Sequence, residues 1–195
     1  MMMAGRCDFR RRKCATTTRS EILAAARRHF ARESYENVGL REIARDVGVD
    51  VALIGRYFGN KEGLFREVLQ SQPPNPPEFN VSREELPAYL ASLIVSDTPE
   101  KGQDHPEKLL ISLRSASSPI ACPIVRERIE RDLVGPIAKI IGAPDAKGRA
   151  RALLAVLLGV KVVDAIMAAD SLAVQEKDRF RARLERLFSA AIAEN

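Results

Sequence analysis

Between Ile43 and Phe65 the chain reads IARDVGVDVALIGRYFGNKEGLF, and very few side chains in it could do chemistry. The spacing predicts a short apolar-patterned helix over Val51–Tyr57, set between two glycine-marked turns. Arg56 is its only long polar side chain, and Arg41 stands shortly before the stretch. A guanidinium fork can make paired hydrogen bonds to a carboxylate, a phosphate or a base edge. No competing chemistry is visible. There is no nucleophile–base pair, no GxGxxG and no P-loop, so an enzyme is not expected. Cys7, Cys14 and Cys122 form no CxxC pair, and His29 and His105 lie far apart. Neither a metal site, a cofactor nor a disulfide framework is expected, and a reducing cytoplasm fits the odd cysteine count.

Numbering from Leu40 as position 1, the apolar residues fall at Ile43, Val47, Val49 and Ile54, with Ala44 small at position 5 and Gly48 at position 9. Ala44 suits a close helix crossing, and Gly48 suits the left-handed turn after a helix. Ile43, Val47, Val49 and Ile54 are expected to fill the core between two helices. This is the pattern of a helix-turn-helix unit, which presents its second helix to the DNA major groove; a purely structural helical hairpin has the same pattern.

Charge supports the first reading. Residues 1–72 hold 14 Lys+Arg against 9 Asp+Glu, and the remaining residues hold 17 of each. The whole formal excess of +5 therefore sits in the first third. A basic segment on a neutral body suits a polyanion-binding module, although a solvated, slightly basic surface looks the same by charge alone. The longest apolar run, Ala152–Ala169, is interrupted by Lys161 and Asp164 and reads as a buried helix rather than a membrane span. No secretory pattern precedes Thr16.

The elements that must position these residues all read as helix, about nine in number. Residues 1–17, with RRRK at 10–13, read as a flexible basic arm that could touch phosphates or the minor groove, or have no specific role. Thr18 and Glu21 form a capping box for a first helix with Ile22, Leu23, Ala26 and Phe30 on one face. Helices follow at Leu40–Val47, at 51–57 with Asp50 as cap, and after Asn60 with Leu64, Phe65, Val68 and Leu69. The PPNPP at 73–77 is a stiff connector, placing domains at 18–71 and 81–195 around a 72–80 linker. Further helices are expected from the Ser82/Glu85 box to Ser96, from Pro106 to Ser117, and from Pro119 to Ile141 with a kink at Gly135-Pro136. Two more are expected at 146–170 and at 174–193, the last with Phe180, Leu184, Leu187, Phe188 and Ile192 on one face.

The stretch TRSEILAAARRHFARESYENVGLREIARDVGVDVALIGRYFGNKEGLF resembles the DNA-binding domain of the tetracycline-repressor (TetR/AcrR) family of bacterial transcriptional regulators. More loosely, DTPEK, LLISLRSA, PIAKIIGAPDA and RARALLAVLLG resemble a carboxy-terminal subtype of the same family, so the likeness covers nearly the whole chain. It implies an all-α protein with a three-helix DNA-binding domain and a helical effector-binding and dimerisation domain. Arg41 matches a phosphate- or base-contacting position. Val51, Ala52, Gly55 and Arg56 match groove-facing positions, and Tyr57 and Lys61 match residues that clamp the backbone. Three positions depart from the family's pattern: Ser34 stands where Gly is usual, Gly39 where Ser or Thr often caps, and Gly55 where an aromatic phosphate contact is common. Val51 and Ala52 offer no hydrogen bonds and could touch thymine methyls, so affinity should lean on phosphates and DNA shape.

In the second domain the resemblance implies a homodimer surface on the last two helices, with Ala155, Gly159, Val162, Ile166, Leu184 and Phe188 as candidates. It also implies a pocket for a small, mostly apolar effector, with Leu109, Leu113, Arg114, Ile129, Leu133, Leu157 and Lys161 as candidate lining; a Lys161–Asp164 ion pair is the plainer reading of that lysine. The function expected is that of a cytoplasmic, nucleoid-associated dimeric repressor released from a pseudo-palindromic operator by its effector. A regulator of the same fold without a small effector, acting as activator or under a protein's control, is the alternative, as is a helical adaptor with a basic face.

Overall fold

The computed structural model describes residues 5–70, 79–95, 105–142, 144–167 and 174–193. Among them the chain is all-helical, with no strand. Its contacts divide it into two compact units, residues 1–74 with 110–125 and residues 75–109 with 126–195. Residues 110–125 thus associate with the amino-terminal unit rather than with the body expected to start at 81. The connector expected at 72–80 lies outside the described residues except for Phe79 and Asn80, and DTPEK lies wholly outside them.

The first unit opens with α1, Gly5–Arg32, a helix of 28 residues. It begins well before the Thr18 start expected from the capping box, and this corrects the flexible-arm reading for residues 5–17. Arg and Lys are good helix formers, and no Gly or Pro separates RRRK from the buried stripe. Ile22, Leu23, Ala25, Ala26 and Phe30 of α1 are buried. Next come α2 (Leu40–Val47), α3 (Val51–Phe58) and α4 (Lys61–Gln70). The turn between α2 and α3 is set by Gly48 at φ 74° and ψ 33°. The Gly48 N–H donates to Arg45 O and the Val49 N–H to Ala44 O, a Schellman closure that requires the left-handed residue. Ile43, Ala44 and Ile54 are buried beneath this turn, whereas Val47 and Val49 are only half-buried. A three-ring cluster ties the unit together. Phe30 and Phe65 meet edge-to-face at 4.9 Å, Tyr35 and Phe65 at 5.2 Å, and Phe30 stacks on Tyr35 at 5.9 Å.

Helix α5 (Leu86–Val95) is preceded by the expected capping box, Glu85 N–H to Ser82 Oγ at 3.3 Å and Ser82 N–H to Glu85 Oε2 at 2.9 Å. Helix α6 is His105–Arg114. The rod α7 runs as Ala121–Ile129, passes through a π-helical turn at Glu130–Val134 and continues as Gly135–Ile141. The kink expected at Gly135-Pro136 takes this form because Pro136 has no N–H and its ring would strike the carbonyl four residues back. The turn widens, and Gly135 N–H donates five residues back to Glu130 O. Helices α8 (Ala146–Met167) and α9 (Val174–Ile192) complete the second unit.

The core of the second unit gathers Leu86 and Leu90 of α5, Val134, Ile137 and Ile141 of α7, Leu153 and Leu154 of α8, and Leu184, Phe188 and Ile192 of α9. Arg83 and Arg149 both donate to the Ile192 carbonyl, at 3.2 and 3.4 Å, placing positive charge at the carboxy-terminal end of the α9 dipole. Leu187, expected on the same buried face, is 53% exposed. Leu184, Phe188 and Ile192 already make the i, i+4, i+8 row, and Leu187 stands one position off it.

Gly63 carries a constraint that its place on α4 hides. A Cβ there would lie 2.0 Å from the Phe58 carbonyl oxygen, so the backbone of the α3–α4 turn would have to move. Gly63→Ala is expected to destabilise the protein by about 1–3 kcal/mol. A thermal melt should then fall by roughly 2–12 °C; an unchanged melt contradicts this account of the turn.

Candidate nucleic-acid interface

The short helix α3 is held at both ends. Asp50 Oδ1 accepts the Ala52 N–H at 2.7 Å at its start, and Gly59 at φ 78° ends it. Asn60 then caps α4, its Oδ1 accepting the Gly63 N–H at 2.8 Å. Ile54 and Phe58 of α3 point into the unit, 0% and 8% exposed. Positions 51, 52, 55 and 56 share the opposite face at helical spacing. There Val51 is 37% exposed, Ala52 and Arg56 are exposed, and Gly55 is half-exposed. Arg41 is exposed on the first turn of α2, whose Gly39 cap supplies no side-chain hydrogen bond.

Tyr57 and Lys61 sit differently. Tyr57 is half-buried with its ring 6.1 Å from that of Phe58. Lys61 Nζ donates to Glu36 O at 3.1 Å and lies 4.7 Å from the Tyr35 ring centroid. Burial pulls its ammonium below the usual lysine range, opposed by the Glu36 charge. Burial also raises the Tyr35 phenol, helped by Glu62 and Glu36. With one N–H engaged by Glu36, the other two donors of Lys61 remain for an anion.

Several supports were not visible in sequence. Arg19 Nη2 bonds Glu67 Oε1 at 2.6 Å while its guanidinium lies 5.0 Å from the Phe58 ring centroid, joining α1, α3 and α4. His29 lies with Nε2 2.8 Å from Asp46 Oδ2, which ties α1 to α2 and needs the proton on Nε2. Ser118, only 2% exposed, accepts the Ala121 N–H at 3.0 Å and bonds the Glu36 carboxylate. Such pairs join residues far apart in sequence, so no local pattern announces them.

The candidate effector residues do not gather in one unit. Leu113 and Arg114 belong to the first and are exposed, Leu113 by 49%. Leu109 and Lys161 belong to the second and are half-buried. Ile129, Leu133 and Leu157 pack against the second unit's core. Lys161, expected to pair with Asp164, donates to the Leu93 carbonyl at 3.4 Å. Among the dimer candidates, Ala155, Gly159 and Ile166 are exposed on α8 and Val162 is half-buried. Leu184 and Phe188, at 1% and 0% exposure, are consumed by their own core and cannot face a partner; this corrects their assignment. Among the described residues, no cluster of His, Cys, Asp and Glu could hold a metal, and no helix is long and apolar enough to cross a membrane.

The Glu36 carboxylate is held below the ordinary range by the Ser118 hydroxyl first and by its own backbone N–H second. Its folded-state value lies below its unfolded one. Its contribution to stability is therefore complete above the ordinary carboxylate range and is lost as pH falls through the folded value. Ser118→Ala should raise the Glu36 titration, followed by carboxyl NMR. The variant should also lose this contribution near neutrality, with the difference closing in acid. Loss of the Ala121 cap adds a separate, pH-independent cost of about 1 kcal/mol. A Glu36 titration unmoved by Ser118→Ala contradicts the assignment.

Residues 22–68 match the family described as bacterial regulatory proteins, tetR family, and residues 84–192 match the tetracyclin repressor-like C-terminal domain. No curated protein sequence matches the chain. Solved structures that share its fold include the following three. NalD of Pseudomonas aeruginosa, the secondary repressor of the MexAB-OprM multidrug efflux pump, is 18% identical with a TM-score of 0.65, over 92% of this chain and 95% of its own. TylP, a TetR regulator of Streptomyces fradiae, is 21% identical with a TM-score of 0.57, over 93% and 80%. A TetR-family regulator of Mesorhizobium loti is 19% identical with a TM-score of 0.50, over 91% and 94%. The helix-turn-helix geometry of α2 and α3 and the two family matches, which together run over most of the chain, lead to one conclusion: this protein belongs to the TetR family of bacterial transcriptional regulators.

Proposed function

We propose that this regulator binds a pseudo-palindromic operator as a homodimer and represses until a small, mostly apolar effector releases it. The observation that carries the DNA reading is the exposed face of α3, which has Arg56 as its only long polar side chain and is held by caps at both ends. Arg41 and Lys61 stand on the flanking helices of the same unit, and the formal charge excess lies in the same part of the chain. Arg56 and Arg41 are the residues suited to guanine or phosphate, and Lys61 and Tyr57 to the backbone. Repression is suggested by NalD, which shares the fold. A regulator of this kind works where the DNA is, in the cytoplasm.

A single short helix reads too little sequence to be selective alone, and two half-sites one turn apart, about 34–36 Å, give a dimer its specificity. The surface suited to self-association lies on α8 and α9. Ala155 and Gly159 are exposed there, as are Val163 at 56%, Ile166 at 74% and Leu187 at 53%. Large apolar side chains at such exposure on these two helices favour a surface that a partner covers.

Selection from a random duplex pool at two salt concentrations should enrich a pseudo-palindrome. Arg56→Ala should abolish that enrichment while leaving salt-sensitive binding in place. Binding with no enriched motif in the parent protein defeats the operator reading. Ile166→Asp should shift the protein from dimer to monomer by sedimentation with its helicity intact, and should cost it the full operator. A variant that remains dimeric removes α8 from the interface. Release by an effector fails as a mechanism if a ligand that saturates the protein leaves operator affinity unchanged.

A further inference from the structure

The glycines inside the helices differ in what requires them. A Cβ at Gly63 would meet the Phe58 carbonyl oxygen at 2.0 Å, at Gly148 the Asp145 carboxylate at 2.4 Å, and at Gly135 the Glu130 carbonyl oxygen at 3.1 Å. Turn glycines Gly48, Gly59 and Gly142 are required by positive φ. Gly55 has neither excuse. It lies in the middle of α3 without a positive φ, and a Cβ there would find nothing within 4 Å. Glycine is the least favoured residue inside a helix after proline, because it loses the most backbone freedom on folding. Nothing among the described residues asks for glycine here, which points to a demand from outside the protein.

We propose that Gly55 is a specificity-determining residue: it leaves the exposed face of α3 bare at its centre, so that the helix backbone seats against base edges and thymine methyls are read by contact with Val51, Ala52 and Gly55. The inference rests on the operator-binding reading. Val51 and Ala52, exposed on the same face, have no hydrogen-bonding side chain, and Arg56 alone adds a polar contact. The 5-methyl of thymine is the one apolar feature that the major groove offers to such a surface. A bare face also gains most from it, since van der Waals contact decays within an ångström of the optimal separation.

The test uses the full-length protein and the half-site enriched by selection. Each thymidine of that half-site is replaced in turn by deoxyuridine, which removes the methyl and keeps every hydrogen-bonding group. Affinity should fall about fourfold for each methyl in contact. In parallel, Gly55→Ala should raise the melting temperature by about 1–4 °C. The same variant should bind the enriched operator about ten- to a hundredfold more weakly, with salt-dependent binding to random duplex retained. Opposite signs for stability and operator affinity are what a purely structural glycine would not produce. Indifference to deoxyuridine at every position overturns the proposal, as does a Gly55→Ala protein that binds the operator as tightly as its parent. If no motif is enriched at all, the operator reading itself falls and takes this one with it; enrichment followed by indifference to the methyl leaves that reading standing and removes only this one.

Discussion

The amino-terminal unit depends on three aromatic rings. Phe30 at the end of α1, Tyr35 in the turn that follows and Phe65 in α4 meet within 6 Å of one another in two edge-to-face contacts and one stack. Edge-to-face pairs place the positive rim of one ring on the negative face of another, so they fix direction as well as distance. Direction is what a presenting domain needs. With α1 and α4 locked, α2 and α3 are left to be set by one left-handed glycine and one aspartate cap. Lys61 above the Tyr35 ring carries the same cluster outward to the surface. The position of this ammonium, at the start of α4, is inherited from the core and not chosen by a flexible stem.

This arrangement explains why a helix of eight residues can be the informative part of the molecule. Isolated, so short a helix would be unstable, because nucleation costs more than a few hydrogen bonds return. Here Ile54 and Phe58 anchor one side, Asp50 and Gly59 fix the ends, and Arg19 braces the ring of Phe58. The outer side is thereby freed from any structural duty. Its composition, two small apolar residues, a glycine and one arginine, answers only to what it touches. Among the described residues, Gly159 on the exposed face of α8 is likewise a helical glycine with nothing within 4 Å of an added Cβ. Both lie on faces for which a partner is proposed, one DNA and one a second copy of the chain.

Much of the fold could be read from sequence because its signals are local. Capping boxes, glycine stops and 3.6-residue periodicity depend on residues within a turn of each other, and they placed α2, α3, α4 and the bend at Gly135-Pro136 well. The start of α1 is not legible in the same way, because Thr18 and Glu21 make a good cap wherever a helix begins, and only the absence of a breaker upstream says that it does not begin there. The resemblance places Leu184 and Phe188 on a partner-facing surface, and an apolar stripe by itself does not reveal which of two apolar neighbours covers it. For the site, residue types on α3 were plain from the helix-turn-helix spacing. Its supports were not, since Arg19 with Glu67, His29 with Asp46 and Glu36 with Ser118 are pairs made by tertiary folding. Gly63 looked like one more helix residue, and only the Phe58 carbonyl behind it shows why a methyl group does not fit.

The π-helical turn at Glu130–Val134 gives α7 a property that an unbroken helix lacks. One extra residue in a turn advances every later side chain by about 100° around the axis. The rod therefore has two phases. Val134, Ile137 and Ile141, from the end of the turn onward, follow the second phase into the core of the second unit. The offset cannot drift toward the carboxy terminus, because Pro136 has no N–H with which to restore the regular pattern. The helix past the turn thus meets its core in a phase that its first half does not share, and one imino acid holds the place where the phase changes.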